Sequence, residues 1–149
     1  MTSTFSHKQM AVNCFNDVWD YLELSERTKL EEEKMIHLTH SSFYHWTQVE
    51  DHTLQNLSIG YWQLSRVYAV LNLGERSFYF AERSLEVSVE NDIEPFYIGY
   101  AYEALSRSAL MIGKTDLSDK YYRLAMDFAQ KVHDDNSKEM LVMDLETIK

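Results

Sequence analysis

The stretch IGYWQLSRVYAVLNLGERSFYFAERSLE, Ile59 to Glu86, decides the fold, because it reads as two amphipathic helices joined by a tight turn. Tyr61, Leu64, Tyr68 and Leu71 fall at steps of three and four, which sets them on one helical face turned inward. The pattern recurs in YAYEALSRSALMIGKTDLSDKYYRLAMDFA, Tyr100 to Ala129, with Tyr102, Leu105, Ala109 and Ile112 as its stripe. Tyr61 and Tyr102 stand 41 residues apart, and at that offset Leu64-Ser65-Arg66 lies over Leu105-Ser106-Arg107, Ser77 over Ser118 and Ser84 over Ala125. Gly74 and Gly113 depart from it, aligning at 39, so the glycine is expected at a different place in each turn. Repetition at this period implies stacked helix pairs that bury one another's apolar faces.

Composition agrees with helices. A chain of 149 residues is one domain's length and can bury a real core. Four glycines and one proline are too few for the many turns of an all-β protein. The net charge of −10 repels a polyanion, so nucleic acid is excluded as a partner. No apolar run of about 18 residues offers a membrane span. The N-terminus lacks the basic-then-apolar layout of a signal peptide, and Cys14 has no second cysteine to pair with, so a cytoplasmic location is expected.

Outward from the two copies, the N-terminal third reads as a further helix pair, 1–50. Val12, Phe15, Val18, Trp19 and Leu22 make its first apolar stripe and are expected in the core. Thr28-Lys29-Leu30-Glu31 has the layout of a capping box opening a second helix that runs to about Val49. Asp51 or Thr53 caps the next helix, and the two copies occupy 52–91 and 94–133. Pro95 sits where a first helical turn tolerates proline. Asp134 to Ser137 reads as a loop, followed by a last amphipathic helix, 135–149, with Met140, Leu141, Val142, Leu145 and Ile148. Such a helix covers the final apolar face of an array.

The densest group of unusual side chains is His37, His40, His45 and His52. At about 100° per residue, Glu33, His37 and His40 share a helical face and are the only three there that can meet one ion. The segment supplies no fourth ligand, and histidines bonded between packed helices are the competing reading, so no metal is assigned. Phosphate-binding, nucleophile-elbow and C-x-x-C motifs are absent, and Cys14 reads as a buried, inert thiol. No catalytic residue or cofactor is nominated.

The repeat resembles the tetratricopeptide repeat (TPR). Tyr102, Leu105, Ser106, Ala109, Gly113, Ser118, Tyr122 and Ala125 stand in its signature places, and Tyr61, Leu64, Ser65, Tyr68, Asn72, Ser77, Ala81 and Ser84 match them more loosely. The resemblance implies an all-α, right-handed superhelix of about three antiparallel helix hairpins plus a C-terminal capping helix. It also implies a concave groove lined by the first helix of each pair, here Trp62, Gln63, Arg66 and Val70, then Tyr100, Glu103, Arg107 and Met111. The expected function is a non-enzymatic module that binds a protein or peptide segment, Arg66 and Arg107 meeting acidic groups and Trp62 and Tyr100 giving apolar contact. A competing role for each arginine is pairing with acids of its own helix stack. Two alternatives stand beside this reading: a structural homo-oligomer such as a homodimer, and a metal-dependent helical bundle using Glu33, His37 and His40.

Overall fold

A computed structural model describes residues 6–148. The first five residues and Lys149, which the expected spans 1–50 and 135–149 take in, lie outside the described residues. Among the described residues the chain forms seven helices and no strand: α1 (His7–Leu22), α2 (Lys29–Gln48), α3 (Leu54–Val70), α4 (Gly74–Glu90), α5 (Pro95–Met111), α6 (Thr115–Ala129) and α7 (Asp135–Glu146). Among them no helix is long and apolar enough to cross a membrane.

Local chemistry sets the helix starts. Thr28 and Glu31 form the expected capping box, the Glu31 N–H donating to Thr28 Oγ1 at 3.2 Å and the Thr28 N–H to Glu31 Oε1 at 2.8 Å. Thr53, not Asp51, caps α3, and Asn56 returns the bond that a glutamate usually makes. Pro95 opens α5. The stretch read as a loop at Asp134 to Ser137 is corrected: Asp134 accepts from the Ser137 N–H at 2.9 Å and helix begins at Asp135. One carboxylate placed three residues before a free N–H outweighs a run of polar residues.

The hairpins α3–α4 and α5–α6 repeat atom for atom at their centres. In the first, Ser65 Oγ donates to the Ser77 carbonyl at 2.8 Å while Ser77 Oγ donates to the Ser65 carbonyl at 2.8 Å. In the second, Ser106 and Ser118 exchange the same two bonds at 2.9 and 2.8 Å. All four serines are buried. A small hydroxyl residue is needed there because the helices approach closely enough for side chain to reach backbone. The turns repeat as well. Asn72 (φ 61°) and Gly113 (φ 80°) both adopt the left-handed conformation, and the next N–H reaches back to Tyr68 O and Ala109 O, at 2.9 Å in each case. The offset is therefore 41 in the turns too, which corrects the alignment of Gly74 with Gly113. The repeated feature is a positive φ, which asparagine tolerates nearly as well as glycine.

Each hairpin packs on the next: α2 touches α3, α4 touches α5 and α6 touches α7, while α3 touches α5 and α5 touches α7. The register runs on into α7. Trp62 on α3, Glu103 on α5 and Asp144 on α7 are spaced 41 apart, so α7 stands where the first helix of another pair would begin. It departs from its predecessors in one telling place. Leu64 and Leu105 are buried in α3 and α5, whereas the equivalent residue of α7 is the exposed Glu146.

The principal core joins Trp62, Ala81, Tyr100, Leu105, Ala125, Leu141 and Leu145, and a smaller one joins Val18, Met35 and Val67. On α1 the stripe is rotated from the expected one. Ala11, Cys14 and Val18 are buried and Val12 is 37% exposed, because small residues let α1 lie close against α2, where Ser42 Oγ donates to Ala11 O. Met140, also expected in the stripe of the last helix, is 55% exposed.

Candidate functional site

Successive first helices meet through residues of one repeat position. Trp62 Nε1 donates to Glu103 Oε1 at 2.9 Å, joining α3 to α5. Arg66 Nη2 reaches Glu103 Oε2 at 3.0 Å, and Arg107 Nε reaches the same oxygen at 2.9 Å from one turn away. Glu103 is wholly buried, so its charge is held by two guanidiniums and an indole N–H. Burial pushes its carboxyl up. The two arginines, with the hydrogen bonds from Trp62 and Arg107, outweigh burial and hold it below the ordinary carboxylate value.

A related set of bonds continues to α7. Arg107 Nη2 donates to Asp144 O at 3.0 Å and to Thr147 Oγ1 at 2.7 Å, and Tyr100 donates its hydroxyl to Asp144 Oδ2 at 2.6 Å. Burial first, then the Asp144 bond and charge, drive the Tyr100 phenol far above its usual value, so it stays a donor. Glu103 and Asp144 thus lie on one polar seam that fastens α3, α5 and α7 side by side.

In front of this seam lies a hollow of about 260 Å³, to which all four odd-numbered helices contribute. Phe15 and Trp19 come from α1, Ser58, Ile59 and Trp62 from α3, Phe96, Tyr97 and Tyr100 from α5, and Met140 and Asp144 from α7. Trp19 stacks on Trp62 with centroids 5.9 Å apart, and Trp62 meets Tyr100 edge-on at 5.4 Å. Phe96 turns its ring at 82° to Tyr100. Rings set at such angles hold one another in place and leave an apolar recess between them. Arg66 lies 5.0 Å from the centroid of Trp62, a further contact that fixes the indole.

The expected groove residues separate into three groups. Trp62 and Tyr100 line this hollow. Gln63 and Glu103 are buried in the packing beneath: Gln63 accepts from Thr39 Oγ1 at 3.0 Å and donates to Phe15 O at 3.1 Å, tying α1 and α2 to α3. Arg66, Val70, Arg107 and Met111 line a second hollow of about 300 Å³ beside Thr147 and Ile148. The two arginines have the partner that the competing reading gave them, an acid of the chain itself.

Glu33, His37 and His40 do not converge. Among the described residues no three histidine, cysteine, aspartate or glutamate side chains are placed to hold a metal ion. His40 Nε2 is instead 2.8 Å from the Tyr68 hydroxyl, its ring edge-on to Tyr68 and Phe80. Burial, then Arg76 and His37, lower its pKa. Cys14 is buried, its thiol 3.7 Å from Ser41 Oγ.

Comparison with known proteins finds no match: no family model, no curated protein and no solved structure. The chain's own geometry carries the functional reading.

Phe15, Trp19, Phe96, Tyr97, Met140 and Asp144 were not expected in the site. Extending the 41-residue offset by one step would have brought Asp144 to the position of Trp62 and Glu103. For the aromatic residues, spacing within one helix marks a buried stripe and does not say which neighbouring helix opens a gap over it.

Proposed function

We propose that this chain is a non-enzymatic, TPR-like helical-repeat module, a right-handed superhelix of three hairpins closed by α7. It holds a protein or peptide segment against its odd-numbered helices. The observation that supports this most is the aromatic hollow, because four helices from separate hairpins contribute to one recess and leave it open at the surface. A cavity of about 150 Å³ already accommodates benzene, so 260 Å³ admits a large side chain. Polar side chains in the recess are few, as in sites that recognise an apolar anchor. In this reading Arg66 and Arg107 hold the wall together through Glu103, and the aromatic rings make the contact.

The test is an affinity capture from the native host with three forms of the protein. Met140→Arg places a charge at the exposed rim of the hollow without touching the core. Tyr79→Ser alters an equally exposed residue of α4 elsewhere. Proteins retained by the wild type and by Tyr79→Ser but lost from Met140→Arg support the proposal. Identical retention by all three sinks it. Sedimentation at two concentrations checks self-association: a tight dimer broken by Met140→Arg would assign the hollow to a second copy instead.

A further inference from the structure

The hollow has a charge as well as a shape. Of the residues that line it, Asp144 is the only one charged at neutral pH, and no cation lines it. Asp144 Oδ2 is taken by the Tyr100 hydroxyl. Its Oδ1 lies 3.9 Å from Arg66 Nη2, beyond hydrogen-bond reach, and that nitrogen is already 3.0 Å from Glu103. The Asp144 side chain keeps 32% of its surface in solvent. Arg66 therefore meets Asp144 only as a long ion pair and takes neither of its oxygens in a hydrogen bond.

A second carboxylate, Glu94, lies three residues before the lining Tyr97. Glu94 immediately precedes α5, is exposed, and makes no capping bond with its own helix. Its charge is felt by the phenol of Tyr97, one of the lining rings. An apolar recess thus has one acid of α7 in its wall and a second at the start of α5, whose first turns carry two of its rings, on a protein of net charge −10. Complementary charge at the rim of an apolar contact selects partners and speeds encounter.

We infer that the hollow takes a large apolar side chain from a basic peptide segment, with an adjacent lysine or arginine of that segment meeting Asp144 or Glu94. This rests on the reading of the chain as a segment-binding module and gives the segment a sign opposite to the one expected from Arg66 and Arg107. A basic partner keeps its cations in partly exposed positions, where an ion pair carries no large desolvation cost.

The experiment follows the tryptophan emission, in which Trp19 and Trp62 at the hollow report beside Trp46, during titration with three tripeptides, Ac-Lys-Phe-Lys-NH2, Ac-Gln-Phe-Gln-NH2 and Ac-Glu-Phe-Glu-NH2. The basic peptide is expected to bind about fivefold tighter than the neutral one, and the acidic peptide more weakly than either. Asp144→Asn, which keeps an oxygen to accept from Tyr100, and Glu94→Gln, which loses no cap, should together reduce that preference to below about twofold. Glu75→Gln with Asp116→Asn removes as much charge from the first turns of α4 and α6 and should leave the preference intact. Equal binding of all three peptides overturns this inference and leaves the docking reading standing. A preference for the acidic peptide, or an equal loss in the α4 and α6 control, also overturns it. Absence of a saturable response to every peptide overturns the docking reading itself.

Discussion

Replacing Glu103 by glutamine tests whether the polar seam is what holds the odd-numbered helices together. The carboxylate is fully buried and accepts from Trp62, Arg66 and Arg107, whose guanidinium side chains are only 17% and 20% exposed. Glutamine keeps the volume and one acceptor oxygen. It removes the charge, leaves Arg66 with only the long contact to Asp144 as counter-ion, takes the carboxylate from Arg107, and points an NH2 group at one of the two arginines. Removing one partner of a buried ion pair costs about 3–5 kcal/mol, and the partial exposure of both arginines favours the lower end. For a domain of this size about 3 kcal/mol lowers Tm by roughly 6–12 °C. Thermal unfolding followed by circular dichroism reads the shift directly. A pH series gives a second signature. The folded-state pKa of Glu103 lies below its ordinary value of 4.5, so its contribution is complete above about pH 4.5 and is withdrawn as pH falls through the lower, folded value. Wild type should therefore lose its advantage over Glu103→Gln on acidification below pH 4.5. A Tm within about 2 °C of wild type at neutral pH would refute the reasoning, because the seam would then be replaceable by any neutral contact.

The remaining predictions concern the repeat and its flank. Ser65→Ala and Ser106→Ala should each destabilise by about 1–3 kcal/mol in urea unfolding, and by nearly equal amounts, since each leaves a buried serine partner with one bond fewer; a large inequality would mean that the two locks are not equivalent. Asn72→Gly should be close to neutral, whereas Asn72→Val should cost about 1–2 kcal/mol at its positive φ; a tolerated valine in the same unfolding assay would contradict the turn. His40 has a folded-state pKa below 6.5, so the folded protein binds fewer protons than the unfolded chain in that window and stability should fall as pH drops below 6.5. Comparing unfolding of wild type with His40→Gln between pH 7 and 5 checks this, and parallel curves would remove His40 from the account.

The helices, their order and the starts at Thr28 and Pro95 were legible because each rests on a few adjacent residues: Thr28 with Glu31, Pro95 alone, a stripe at three-and-four spacing. What escaped depends on how close helices come. Ala11 and Cys14 displaced Val12 from the core because small residues admit a nearer α2, and a hydrophobicity pattern ranks them below valine. Glu103 sits in the otherwise apolar run Tyr100 to Leu105, yet only its three-dimensional partners, two of them from the preceding hairpin, show why an acid belongs there. The hollow was least legible of all. Its walls come from α1, α3, α5 and α7, and no local pattern in any one of them encodes the gap between the four.

The exposed Glu146, in the place that Leu64 and Leu105 occupy in the earlier first helices, has a consequence for how such a molecule can change length. A further hairpin added in register after α7 would have to bury that carboxylate, at a cost that the apolar contacts of one leucine-sized site would not offset. A duplicated 41-residue unit inserted ahead of α7, by contrast, would follow a hairpin with the same serine lock and left-handed turn and would precede an odd-numbered helix, as the α5–α6 hairpin does now. Growth in register past α7 therefore carries a burial cost at Glu146 that internal duplication does not.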